Sequence, residues 1–561
     1  IELTENAMRV WTNDALVSRL AAKSTIANGA FTSDLSSWTD NDESGSTSFW
    51  SGGNMVLEGT RYSRAKRTQV VAASAGIQNI SIRVLRGAPI LRIGSSSGAD
   101  DYIEETALRP GHYSFSFETG TAYHVEFSAN TDYASIVGNI EVESSSNMVI
   151  DTVWDSSDLP GLRWAQSNDV IFVACPDRPQ KRIERHSSGS WAVVDYTAND
   201  GPFRAINTDA RRLAPSGLTG NITLTSDRPL FVADHLGALF QVTSVGQSVE
   251  QTFTSADQAS NSIRVSGVSD GRTFQYEAIV AGASEAIWLQ RSVGEEGSWT
   301  TVNALKFNSS VASSYNDGLD NQIVFYRMFR PSTTSTADTS SGELTYSAGG
   351  ITGIAKIIGV FSATESTAIV LSAFGSTTFS ELWSEGDWSA LRGYPSAVAL
   401  HEGRVFWSGK SKLWGSVSDA FESFDADSTD LGDAGPINLT MASGSNEQVA
   451  WLLSLSRLLM GTPRAETQAK TSSLEEPLTP TNFALRDIST QGCAQVQAVK
   501  VDQRAIFVQA SLSRVMEITL ADSQLDFTSL DRSQLVPDVG EPGITRCAVQ
   551  RQPDTRVHFV R

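Results

Sequence analysis

Apolar and polar residues alternate along much of this chain. The pattern recurs in Ser81-Ile82-Arg83-Val84-Leu85, Tyr113-Ser114-Phe115-Ser116-Phe117, Tyr123-His124-Val125-Glu126-Phe127, Ile222-Thr223-Leu224-Thr225 and Ile323-Val324-Phe325-Tyr326-Arg327. A period of two sets one face of each run on a core and the other in water, as in a half-buried strand. Clusters of Ser, Thr and Asp, with 43 glycines, separate the runs and supply turns. Helix signals are sparse. Residues 5–20 admit a short helix, and 447–460 read equally well as a helix or as buried strands. The expected fold class is mostly β and multidomain.

Shifts in composition divide the chain into an N-terminal segment (1–23) and four blocks. Residues 24–146 close at the serine run Ser144-Ser145-Ser146. Residues 147–215 are richer in Trp, Arg and Pro. Residues 216–350 are again Ser/Thr-rich and end near Gly349-Gly350. Residues 351–561 carry short apolar strands with tight turns. Because domain boundaries fall in polar linkers, residues 24–146 are expected to form a separable unit.

Asp and Glu total 63 against 43 Lys and Arg, a net charge of −20 over 561 residues. This balance opposes sequence-independent binding of a DNA duplex. It leaves room for a local basic patch or for a channel that passes DNA without holding it. Cys175, Cys493 and Cys547 are too few for a disulfide framework or a spaced zinc site. The longest apolar run, 449–460, contains Arg457 and falls short of the roughly twenty residues that span a bilayer, so no membrane insertion is expected.

Enzyme signatures are lacking. The six His form no H-x-x-x-H pair, and there is no G-x-S-x-G and no P-loop. His401-Glu402 imitates an acid–base pair without further support. The expectation is no enzyme, with no catalytic, cofactor or metal residue assigned. Two acidic loops, Asp40-Asn41-Asp42-Glu43 and 425–433, have the hard oxygens that suit Ca²⁺, but the second departs from the D-x-D-x-D-G order. Solvated turns are the reading preferred for both.

Asn28-Gly29-Ala30-Phe31, with Leu35 and Trp38, resembles the opening of carbohydrate-binding-module jelly rolls, in which the Trp plugs the core. The resemblance implies a β-sandwich for 24–146, with exposed aromatics such as Trp50 or Tyr62 available to a glycan. Residues 216–350 look like an immunoglobulin-type sandwich with a buried Trp and a Tyr near the closing strand.

A second resemblance covers two longer stretches. Trp164-Ala165-Gln166-Ser167-Asn168-Asp169-Val170, the strand Ile171-Phe172-Val173-Ala174, Arg182-Ile183-Glu184-Arg185, Trp191 and Gly201-Pro202-Phe203 come first. Arg392-Gly393-Tyr394-Pro395, His401-Glu402-Gly403-Arg404-Val405-Phe406-Trp407, Leu413-Trp414-Gly415-Ser416 and Gln491-Gly492-Cys493-Ala494 follow in order. Together they resemble the tail nozzle (tail tubular protein B-like) and tail hub proteins of bacteriophages. The resemblance implies a virion location and a homohexameric ring with a β-propeller-like domain. It also implies contacts with tail adaptor or portal-side proteins and tail fibres, and double-stranded DNA passing through the lumen without specific binding. A receptor- or glycan-binding tail protein is the alternative.

The residues themselves suggest paired strands. Arg404–Trp407 and Lys412–Gly415 read as strands about a Ser408-Gly409-Lys410 turn, with Trp407 and Trp414 filling the space between sheets. Arg556 to Val560 reads as the first strand of a further hairpin. Its partner is expected either beyond Arg561 or from about Ile351 to Phe361.

Overall fold

The structure is a computed structural model and describes all residues except 145, 282–285, 333–338, 426–431, 442–447, 472–475 and 522–525. Strands make up 51% of the chain and helix 3%, the helix being short 3-10 turns, so the chain is nearly all β and multidomain. Two compact units emerge. One joins Ile1–Pro202 to Asp387–Arg561, and the other is Phe203–Gly386.

In the first unit, residues 24–146 form a sandwich. A five-stranded sheet (Ile103–Ala107, Ile90–Gly94, Ala122–Ala129, Ala65–Ala72, Thr39–Asp40) faces part of a nine-stranded one. Phe31, Leu35 and Trp38 lie in the shared core with Ile82, Phe115 and Phe127. The Asn28 side chain ties the turn by donating to the Asp34 and Ser36 carbonyls, each at 3.0 Å.

The sandwich does not end at residue 146. Gly111–Thr119 pairs with Trp191–Asp195, with His112 opposite Val193 and Tyr113 opposite Ala192. The nine-stranded sheet therefore runs on into the strands Arg163–Ser167, Val170–Cys175 and Arg178–Arg185. Ala192 and Val194 join the sandwich core. Buried Arg19 adds a second joint, with Nε on the Glu143 carboxylate at 2.5 Å and Nη2 donating to the Gly189 carbonyl at 2.9 Å and to Ser114 Oγ. The expected separability of 24–146 is thus corrected: polar composition marks the linker, but backbone pairing crosses it.

The helix expected in 5–20 is replaced by short strands, Ala7–Arg9, Trp11–Thr12 and Ala15–Leu16. Asn13 and Asp14 adopt φ of 51° and 62°, the two left-handed residues of a tight hairpin turn. Over 447–460 the alternative of buried strands holds, as Trp451–Ser454 pairs with Leu458–Gly461; Glu447 lies outside the described residues.

Four antiparallel four-stranded meanders follow one scheme. The first comprises the strands of 163–195, and the others begin at Ala397, Trp451 and Val499. A two-stranded hairpin begins at Arg546, so the later starts fall roughly fifty residues apart. No meander has both faces covered by its own residues, and each stacks on the next. Phe172 and Tyr196 of the first stretch share a cluster with Trp407 and Trp414 of the second. Phe406 and Leu413 share one with Leu452 and Met460 of the third. Trp451 and Leu459 pack with Phe507 and Ile518 of the fourth. Val508 packs with Cys547 and Phe559 of the hairpin.

Two details of the sequence reading change here. The strand Arg404–Gly409 continues through Ser408 and Gly409, and the turn is Lys410-Ser411, both at positive φ. Arg556–Val560 is the second strand of its hairpin, paired with Arg546–Gln550. The stretch proposed as its alternative partner is used elsewhere, since Thr352–Val360 pairs with Glu365–Ser372.

The second unit holds a six-stranded sheet from Leu213–Pro215 to Trp383–Glu385 and, within its span, a sandwich over 247–346. The boundaries expected at 215/216 and 350/351 both fall inside that six-stranded sheet. Leu213–Pro215 pairs with Asn221–Ser226, and Leu239–Thr243 pairs with the strand starting at Thr352. In the sandwich, Tyr326 is buried and donates to Asp317 Oδ2 at 2.7 Å, beside the wholly buried Arg272–Asp317 pair. Trp299 is only half-buried, under the Arg327 guanidinium at 4.1 Å, so it is not the buried Trp that the immunoglobulin-type reading expects.

Trp407 is fully buried between two stacked sheets. We expect Trp407→Ala to cost about 3–5 kcal/mol, read as a shift in the urea unfolding midpoint. A change below about 1 kcal/mol would show that this face is not closed in solution. Deleting residues 24–146 should yield an aggregating product, because it bares the edge of Trp191–Asp195. A soluble, monodisperse deletion product would refute that pairing.

Candidate functional site

A cavity of about 640 Å³ opens in the first unit. One wall comes from the first meander, with Trp164, Ile171, Ile183, Arg185 and Trp191. The opposite side comes from Gln495, Val496 and Gln497 and from the start of the hairpin at Thr545, Arg546 and Cys547. Strand register explains the mixture: Trp164 lies opposite Val173, Gln166 opposite Ile171, Ile171 opposite Ile183 and Arg185 opposite Trp191, so apolar and polar side chains share one face of the meander. The volume lies within the usual range of ligand pockets.

Arg163 is the best-fixed polar group at this cavity. It is 3% exposed; its Nε donates to the Ala450 carbonyl at 2.7 Å, and Nη1 donates to those of Pro160 and Leu162 at 3.0 and 2.8 Å. Nη2 has no hydrogen-bond partner. Burial without a counter-charge lowers its pKa to about 10. Arg185 lies 3.5 Å from Asp169 and 6.0 Å from the Trp191 ring, a loose pairing. Arg546 is exposed and makes no ion pair among the described residues. The Cys547 thiol donates to the Gln497 carbonyl at 2.9 Å, and burial pushes its pKa up to about 11, which keeps it unreactive.

A further buried polar group lies on the third meander. Glu466 is fully buried; Oε2 accepts from Ser489 Oγ, and Oε1 is unpartnered. Burial pushes its pKa up to about 7. Cys493 nearby has its pKa raised, first by burial and then by the charge of Glu466.

The sequence-derived candidates sit elsewhere. In the 40–43 loop the carboxylates are engaged by the protein. Asp42 accepts from the Ser48 and Lys66 amides at 2.5 and 2.6 Å, Asp40 pairs with Arg67 at 2.9 Å, and Glu43 accepts from the Arg64 amide at 2.8 Å. Of the 425–433 loop, Asp427 and Asp430 lie outside the described residues. Among the described residues no group of three or more His, Cys, Asp or Glu is placed to hold a metal. His401 is buried, with Nδ1 2.9 Å from Ser454 Oγ, and its Nε2 stands 3.7 Å from Glu402, too far for a hydrogen bond. Glu402 instead accepts from the Leu478 amide at 2.7 Å.

Trp50 and Tyr62 are 39% and 68% exposed. The Trp50 indole is held by the Phe31 carbonyl at 2.7 Å. Sequence reasoning missed the cavity. Its arginines, 163, 185 and 546, are scattered along the chain, and no local pattern marks them as neighbours.

No family model matches this chain, and no curated protein does. Solved structures aligned to it include procruciferin, an 11S globulin from Brassica napus, at 10% identity and a TM-score of 0.10, covering 56% of this chain and 86% of that one. Another is the coconut allergen cocosin, at 10% identity and a TM-score of 0.09, covering 59% and 90%.

The Glu466 carboxyl gives a pH signature. Folded, it keeps its proton to about pH 7, whereas the unfolded chain releases it near 4.3. The unfolded state therefore binds fewer protons across that window, and stability falls as pH rises through it. Glu466→Gln should be about 2–3 kcal/mol more stable than the parent at pH 8.5 and nearly equal to it at pH 4, by urea unfolding. A pH-independent difference would rule out this titration.

Proposed function

We propose that this chain is a structural subunit of a bacteriophage tail, forming a ring-shaped nozzle or hub through which DNA is ejected. The supporting observation is the serial stack of four-stranded meanders in the first unit, from 163–195 through 499–531, ending in the hairpin 546–560. The hairpin's first residues and the first meander line the same cavity, so the series returns toward its start. A propeller-like closure accounts for both facts, since radially repeated four-stranded sheets cover one another's faces. With the ordered motif resemblance to tail nozzle proteins, this favours a scaffold over an enzyme. In this reading the subunit sits in the virion, forms a homohexamer, meets adaptor or portal-side proteins and tail fibres, and passes duplex DNA without specific contacts.

A second reading, glycan binding by residues 24–146, is favoured by the exposed Trp50 and Tyr62 on the sandwich. Stacking of a sugar ring on such faces is the chemistry it would use.

Mass photometry and negative-stain microscopy test the first reading. The expected result is a species near six times the 60.4 kDa subunit mass, with cyclic ring classes around a central channel. Monomers alone, both with and without adaptor protein, would overturn it. Retention on a glycan array that is lost in Trp50→Ala or Tyr62→Ala would support the second reading.

A further inference from the structure

The cavity between the first meander and the hairpin is chemically unlike the rest of this chain. The protein carries a net charge of −20, yet the cavity lining includes Arg163, Arg185 and Arg546 against one carboxylate, Asp169. Arg163 is almost wholly buried with Nη2 unsatisfied, and among the described residues no carboxylate pairs with it. A buried guanidinium without a counter-ion is costly, and an arriving anion removes that cost. The Gln497 Oε1 atom is also buried and unpartnered, so the site lacks a donor as well as an acceptor. The floor is apolar, with Leu162, Ile171, Ile183 and Val496.

We infer that this cavity binds an acidic peptide segment of a partner protein. Its carboxylates would meet Arg163, Arg185 and Arg546, its backbone N–H would meet Gln497, and an apolar side chain would cover Ile171 and Ile183. A peptide offers the acceptor, the donor and the apolar group together. A phosphodiester has no apolar side chain for that floor, and the overall negative charge opposes a long polyanion. Exposed Trp164 at the mouth adds a flat apolar wall suited to a peptide side chain. The inference does not rest on the ring reading, because it concerns one subunit's own cavity.

Fluorescence anisotropy on the full chain at low salt tests it. The probe is a fluorescein-labelled, capped peptide of sequence ELEFE, with KLKFK and a short DNA duplex as comparisons. Saturable binding of ELEFE tighter than about 1 mM is expected, with no binding of KLKFK. Arg546→Glu and Arg185→Glu, at surface positions, should each weaken ELEFE about tenfold with an unchanged melting temperature. Arg163→Met should weaken it at least as much; if that variant unfolds, the two surface variants decide. Failure of ELEFE to saturate, or an affinity unchanged from the parent in both surface variants, overturns the proposal. Tighter, arginine-dependent binding of the duplex also overturns it, in favour of a nucleic-acid site.

Discussion

The first unit depends on the packing of Phe172 and Tyr196 against Trp407. The ring centroids of Tyr196 and Trp407 are 4.9 Å apart, and those of Phe172 and Trp407 are 6.4 Å apart. These residues stand on either side of the whole Phe203–Gly386 segment, which the chain completes before returning. Loop-closure entropy grows only slowly with length, so a large apolar contact can hold such a return. Polar contacts fix its register. Arg109 pairs with Glu422 at 2.6 Å, and Asp200 accepts from Ser423 Oγ at 2.6 Å and from the Phe424 amide at 2.8 Å. At the junction itself the Asp387 amide donates to the Pro202 carbonyl at 2.9 Å. Buried Asp387 also holds Lys412 and the Trp414 indole, tying the return point to the second meander.

Once that joint is closed, the remaining sheets have defined neighbours. Each meander presents an apolar face that water would penalise, and the next meander in the chain covers it. Sequential stacking keeps most connections short, the economical route for antiparallel strands. The sandwich of residues 24–146 is bound into this framework by strand pairing as well as by packing. A sheet that runs unbroken from Thr47–Ser51 to Arg163–Ser167 transmits its twist through both regions. Arg19, anchored on Glu143, Ser114 and Gly189, is a buried pin at the same seam. Removing one partner there would strand a charge out of water.

Charge is distributed unevenly. Acidic side chains on the sandwich loops are used to cap backbone amides, as Asp42 and Glu43 show, which holds the turns in place. Arginines are placed at seams and at the cavity. A guanidinium can satisfy several carbonyls at once, as Arg163 and Arg404 do; Arg404 Nη1 donates to the Ser416 and Gly435 carbonyls, both at 2.6 Å. At Arg404 the donors are spent on loop architecture. At Arg163 one nitrogen, Nη2, is left without a partner.

Alternation of apolar and polar residues was enough to determine the β class, because a side-chain period of two is a local property of the backbone. The short turn after Arg404–Trp407 also pointed to Lys412–Gly415 as its partner, and the two strands pair, the first running on to Gly409. The burial of Phe31, Leu35 and Trp38 was legible for the same reason: large apolar residues near a tight turn have few other places to go. Which strand lies beside which across long separations was not legible. His112 opposite Val193 and Phe172 beside Trp407 arise from backbone edges and apolar faces that carry no local mark of their partner. The same holds for the cavity. Arg163, Gln497 and Arg546 come from three distant segments, and only the stacking of the sheets brings them to one cavity and leaves Arg163 Nη2 and Gln497 Oε1 unpaired.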